Sequence, residues 1–181
     1  MWVFGYGSLM WDDWYDDLQC KSKKTGVLRG YRRSFNKASI RNWGTRDIPG
    51  PTLNLIPDPN SSCKGMLFEF PNRNRDAVMK RLSDREGIGF EFEELLVRIC
   101  LSTTVQALVP IYSGKNTLQQ KSLEQIVQMI LKASGEKGRC RDYVLNLHQQ
   151  MQSMGIEDPA VEELTSKIQM KEAQQRGGAS D

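Results

Sequence analysis

The sequence contains a single histidine, His148, and that scarcity removes several catalytic chemistries at once. An imidazole-activated serine or cysteine nucleophile would depend on His148, which lies in a stretch of helical spacing, and Ser8 lacks the G-x-S-x-G elbow such a serine would need. Cysteine is sparse too. Cys20, Cys63, Cys100 and Cys140 stand far apart, with no C-x-x-C pair and no histidine at zinc-ligand spacing, so they read as reduced thiols and no metal site is expected. The net charge is only +3, too small to point to nucleic acid or a membrane surface as the main partner. No run approaches ~20 apolar residues, and Trp2-Val3-Phe4 follow Met1 without the basic segment of a signal peptide. A cytoplasmic protein is therefore expected.

What is present fits one compact domain, since a single core serves roughly 100–200 residues. Trp2-Val3-Phe4 is short, apolar and β-prone and runs at once into Gly5-Tyr6-Gly7-Ser8, a strand ending in a tight turn. Further strands are expected over Val27 to Ile40, Thr52 to Ile56 and Cys63 to Phe70. Leu95, Val97, Ile99 and Leu101, then Val105, Ala107, Val109 and Ile111, alternate around the polar Ser102-Thr103-Thr104 and predict a hairpin. One helix interrupts these strands: Asn72 to Glu86, with Val78, Met79 and Leu82 at helical spacing and Gly87 as its stop. Beyond Lys115 the pattern turns helical, over Ser122 to Ala133, Arg139 to Met151 and Pro159 to Met170. The expected organisation is a single domain over residues 1–171, β-rich over 1–112 and helical over 117–171, followed by a flexible tail over 172–181, whose polar composition buries too little to offset its ordering entropy.

Two features could carry chemistry. Gly5 and Gly7 permit positive φ and close approach of a ligand, leaving main-chain N–H groups free for a carboxylate or oxyanion; a turn with glycines for geometry alone is the alternative. The turn is not a dinucleotide fingerprint, because Met10 stands at the third glycine position, nor a P-loop, for want of the lysine. The second feature is Glu86. Residues 79 and 86 of a helix lie within about 20° of each other, so its carboxylate continues the apolar stripe of Leu82 and points inward. Burial and the negative end of the helix dipole would both raise its pKa and poise it for proton transfer. The competing reading pairs it with Arg85 or Arg81. Glu91, Glu93 and Glu94 read as the start of a strand, and Asp12, Asp13, Asp16 and Asp17 as a solvated acidic loop. Tyr31-Arg32-Arg33-Ser34-Phe35-Asn36-Lys37 interleaves rings with cations, as a single-stranded nucleic-acid surface would, but an exposed strand face gives the same pattern.

Taken together, Val3-Phe4-Gly5-Tyr6-Gly7-Ser8-Leu9-Met10-Trp11 and Asp84-Arg85-Glu86 followed by glycines resemble the ChaC-like γ-glutamylcyclotransferases. Arg29-Gly30-Tyr31-Arg32-Arg33-Ser34-Phe35 fits that family's second strand region, and Gly138-Arg139-Cys140-Arg141-Asp142-Tyr143 fits its late Gly-Arg segment. The resemblance implies an α+β fold, a small mixed β-barrel with flanking helices and a helical C-terminal region. It also implies an enzyme that needs no cofactor and acts on a small γ-glutamyl substrate, glutathione or another γ-glutamyl compound, rather than on nucleic acid or a membrane. By the same resemblance Glu86 would be the catalytic acid/base, Val3, Phe4, Gly5, Tyr6, Gly7, Ser8 and Leu9 would bind the γ-glutamyl group, and Tyr143 would lie near the same pocket. Oligomeric state is left open by these residues.

Overall fold

The computed structural model describes residues 1–177, and its central element is a closed five-stranded barrel. The strands are β1 (Trp2–Gly5), β2 (Ser22–Ser39), β3 (Gly50–Glu69), β4 (Phe90–Cys100) and β5 (Thr103–Tyr112), arranged in the order β1-β3-β2-β4-β5. β1 is antiparallel to β3, with Val3 opposite Phe68 and Gly5 opposite Met66, and parallel to β5, with Val3 opposite Leu108. That parallel pair closes the barrel and makes it mixed, as expected. β4 and β5 form the predicted hairpin, from Phe90 opposite Tyr112 to Cys100 opposite Thr103.

One expectation is corrected. Thr52 to Ile56 and Cys63 to Phe70 are not two strands but parts of one 20-residue strand, long against the usual 3–10 residues. Between the two expected stretches stand Pro57 and Pro59, which donate nothing to a ladder. Here the strand continues through them, and Asp58 between them pairs with Arg32 of β2 at 3.2 Å.

The chain divides into two compact units: residues 1–33 with 55–115, and residues 34–54 with 116–177 among those described. In the first, α1 (Arg75–Glu86) buries Val78 and Leu82 against Val3, Leu9, Trp14, Leu18, Phe68, Phe70 and Leu108. Each such large apolar side chain contributes roughly 1.5–3 kcal/mol when removed from water. Asp12 to Asp17, read as a solvated loop, in fact carries the buried Trp14, whose indole N–H donates to the Leu9 carbonyl at 3.0 Å. Arg81 then ties α1 to this segment, donating to the Trp14 carbonyl and to Asp17, whose carboxyl that hydrogen bond holds below its usual range.

Among its described residues the second unit contains three helices, α2 (Leu123–Lys132), α3 (Cys140–Ser153) and α4 (Pro159–Gly177), which pack on one another and bury Ile126, Val127, Ile130, Val144, Leu147, Met151, Leu164 and Ile168. Their ends are specified locally. Ser122 and Gln125 form a capping box at α2. α3 ends at Gly155 (φ 64), with the Ile156 N–H on the Met151 carbonyl and the Gly155 N–H on the Gln152 carbonyl, the bond pair of a left-handed helix stop. Asp158 caps α4 through the Ala160 and Val161 N–H groups, with Pro159 at the first helical position. The helix runs on to Gly177, so residues 172–177 of the expected tail are helical; 178–181 lie outside the described residues.

Candidate active site

The first unit brings the glycine turn and Glu86 together through one arginine. β1 delivers the chain at Gly5 into the turn, and a short 3-10 helix over Ser8–Met10 follows, its first hydrogen bond running from the Met10 N–H to the Gly7 carbonyl. The positive φ that the glycines permit is not used. Neither Gly5 nor Gly7 has positive φ, and Gly7 sits at φ −132. At Gly5 the requirement is space: a Cβ there would lie 2.9 Å from Leu9 Cβ and 3.2 Å from the Leu9 carbonyl carbon.

Val3 and Phe4 are fully buried, and Tyr6 and Leu9 nearly so, while Gly7 and Ser8 are half-buried. The turn therefore has a core-facing and a solvent-facing side. Among the described residues, the main-chain N–H groups of Gly7 and Ser8 donate to no protein acceptor. They are available to an anion or a carbonyl oxygen.

Glu86 is the last residue of α1, followed by Gly87 at φ 77, a conformation that only glycine adopts readily. Its side chain is 16% exposed, and Oε1 lies 3.8 Å from Arg85 Nε. Arg85 reaches further: one of its terminal nitrogens donates to Ser8 Oγ at 3.1 Å and to Asp12 Oδ2 at 2.6 Å. The guanidinium thus spans the turn, the acidic segment behind it and the glutamate. Arg85 Nε is itself buried without a hydrogen-bond partner. Sequence reading offered Arg85 only as a rival explanation for Glu86, and missed Asp12; the charge complementarity between residues 12 and 85 is visible in the sequence, but their proximity is not.

Arg33 is another residue the sequence misplaced. The alternation of rings and cations places it on an exposed strand face, yet it is 1% exposed, with Nε donating to the Tyr6 carbonyl at 2.8 Å and a terminal nitrogen to the Lys64 carbonyl at 2.7 Å. Tyr31 and Arg32 do remain at the surface.

Tyr143 belongs to the second unit, on α3. Its hydroxyl accepts from the Leu53 N–H at 3.2 Å, and its ring lies 5.4 Å from that of Trp43. The loop bearing Trp43 is fastened to a small hairpin over residues 134–139: the Glu136 and Lys137 N–H groups donate to the Arg41 and Asn42 carbonyls, and Arg41 pairs with Glu136 at 2.8 Å. His148 is half-buried on α3. All four cysteines are free thiols. No group of three His, Cys, Asp or Glu side chains among the described residues could hold a metal ion, and no described helix is long and apolar enough to cross a membrane.

Comparison with known proteins supplies the family. The family model for ChaC-like proteins matches residues 1–171. The chain belongs to the ChaC-like family. It is 30% identical over 178 residues to gamma-glutamylcyclotransferase 2-3 of Arabidopsis thaliana, covering 93% of this chain and 88% of that one. A glutathione-specific gamma-glutamylcyclotransferase 1 from Danio rerio is 29% identical over 167 residues, covering 88% and 84%. In fold it superposes on the crystal structure of a yeast glutathione-specific γ-glutamyl cyclotransferase with a TM-score of 0.81, at 19% identity, over 94% of this chain and 96% of that one.

Proposed function

We propose that the protein is a γ-glutamylcyclotransferase that cleaves glutathione to 5-oxoproline and cysteinylglycine. Family membership over residues 1–171 is the observation that carries the reaction class. The substrate rests on relatives that are named for glutathione in fish and other organisms.

The chemistry suits a site without imidazole or metal ligands. The α-amine of the γ-glutamyl group attacks its own γ-carbonyl carbon; a new C–N bond closes the five-membered lactam, and the C–N bond to cysteinylglycine breaks. No water is consumed and no protein nucleophile is needed. The protein has to fold the substrate so that amine and carbonyl approach to ~3–3.5 Å, take a proton from the ammonium so that the free amine attacks, stabilise the oxyanion, give the held proton to the departing nitrogen and take the second proton from the ring nitrogen.

In this reading Glu86 carries these proton transfers. It is half-buried at a helix end, held beside Arg85, and therefore fixed relative to the turn by the Arg85 to Ser8 hydrogen bond. The Gly7 and Ser8 N–H groups receive the substrate's carboxylate or the oxyanion, with Gly5 permitting the close packing of the turn. Val3, Phe4, Tyr6 and Leu9 contribute as the buried anchor of that turn. Arg85 would supply positive charge next to the bound anion.

The test is release of 5-oxoproline by purified protein from glutathione beside a panel of γ-glutamyl dipeptides and γ-glutamylamines. Glu86→Gln keeps shape and removes the base, so it should fold and bind but turn over at least ~100-fold more slowly. Near-normal turnover by that variant would sink the role of Glu86. Release from other γ-glutamyl compounds but not glutathione would move the substrate and keep the reaction.

A further inference from the structure

We infer that Arg33, buried in the barrel wall behind the turn, is a positioning residue for the substrate cradle: it sets the orientation of the Tyr6–Gly7 peptide and so aims the Gly7 N–H at the ligand. The inference rests on the turn's role in the proposed reaction, but the geometry behind it is independent of substrate.

A guanidinium that is 1% exposed has given up its hydration, and such a group persists in a core only where other dipoles replace the lost water. Here two main-chain carbonyls do so, Tyr6 at 2.8 Å from Nε and Lys64 at 2.7 Å from a terminal nitrogen, with Met10 Sδ 3.8 Å from the same nitrogen. Those three acceptors belong to the turn, to β3 and to the 3-10 helix after the turn. One planar fork therefore adds a side-chain tie between the turn, β3 and the 3-10 helix, just beyond the point where the β1–β3 pairing ends at Gly5 and Met66.

The consequence for the turn follows from peptide geometry. The peptide bond is planar and trans, so the Tyr6 C=O and the Gly7 N–H of the same unit point in opposite directions. With the carbonyl held on Arg33, the N–H must face away from the barrel wall. A cation on the carbonyl oxygen also polarises the unit and makes that N–H a stronger donor. Lysine could place a charge in the same space but not the two divergent bonds, since its ammonium is a compact point rather than a fork.

Arg33→Lys is the test, read in two ways. In wild-type protein the Gly7 and Ser8 amides should show order parameters near ~0.85, and in the variant they should drop below ~0.6. Turnover should follow, kcat/KM falling by ~10- to ~100-fold as the donors lose alignment. Val97→Ala, a barrel-core change away from the turn, serves as the stability control: it should lower the melting temperature with turn order and kcat/KM retained. The proposal is overturned if the turn amides stay ordered in Arg33→Lys, or if its kcat/KM falls no further than that of Val97→Ala. Should wild-type protein release no 5-oxoproline at all, the proposed reaction fails, while the order parameters still decide the role of Arg33. If the lysine variant does not fold, a through-hydrogen-bond coupling between Arg33 Nε and the Tyr6 carbonyl carbon in wild-type protein supports the anchoring, and its absence rejects it.

Discussion

Adding one methyl group at Gly5 should separate folding from function. An alanine Cβ there would stand 2.9 Å from Leu9 Cβ, 3.2 Å from the Leu9 carbonyl carbon and 3.3 Å from the Met10 nitrogen, whereas carbon atoms rest at about 3.5–4.0 Å. Something must move by ~0.5–1 Å. β1 resists, because its register is fixed on one side by β3 and on the other by β5. Leu9 resists as well, its side chain lying in the core and its carbonyl held by the Trp14 indole. The strain is then shared by the turn in between, at a cost of about 1–3 kcal/mol for overpacking. A domain stable by ~5–15 kcal/mol survives that. If the turn holds the substrate as proposed, a displacement close to ~1 Å spoils its alignment, and kcat/KM should fall by up to ~100-fold. Circular dichroism, thermal unfolding and the 5-oxoproline assay on Gly5→Ala settle the matter: a folded variant with wild-type kcat/KM would refute the claim that close packing of this turn sets the reaction geometry.

Two more predictions concern residues outside the turn. The exposed Cys100 thiol is pulled down to about 7, chiefly by the Thr103 side chain and then by Ser102, whereas burial pushes Cys140 up to about 12. A lowered thiol pKa places the reactive thiolate above pH 7, so brief maleimide exposure should label Cys100 with a rate that climbs through pH 7 and leave Cys140 unlabelled until the protein unfolds; equal labelling by mass spectrometry would contradict this. Tyr143→Phe deprives the Leu53 N–H of its acceptor in a strand segment that is almost fully buried, which should cost ~1–3 kcal/mol in denaturant unfolding. An unchanged unfolding midpoint would show that the bond is replaced.

The fold was largely legible because its signals are local. The hairpin of β4 and β5 shows in strict alternation, α1 in its apolar spacing and its Gly87 stop, and the three C-terminal helices in their periodicity. What escaped is instructive. Period-two reading of β2 puts Leu28 inside and Arg33 outside, but Gly30 adopts φ 79 and shifts the alternation, so that Leu28, Arg33 and Phe35 all end up buried. One glycine conformation thus turned a surface arginine into a core one. The long β3 was hidden by two prolines, and the extension of α4 to Gly177 by a polar sequence that buries little. For the site, the turn and Glu86 stood out by residue type and spacing, whereas the Arg85 link between them and Asp12 joins residues more than 70 positions apart. No local pattern reports such a contact.

The cluster that buries Leu9 on one side and Val78 and Leu82 of α1 on the other is a single body of packed side chains. The glycine turn and Glu86 both rest on that one body, so neither can loosen without disturbing the support of the other. Such an arrangement leaves little room for an inactive but folded intermediate: heat should abolish turnover and melt the barrel in the same transition. Substitutions that harden the core would then lengthen the working life of the enzyme without touching its chemistry.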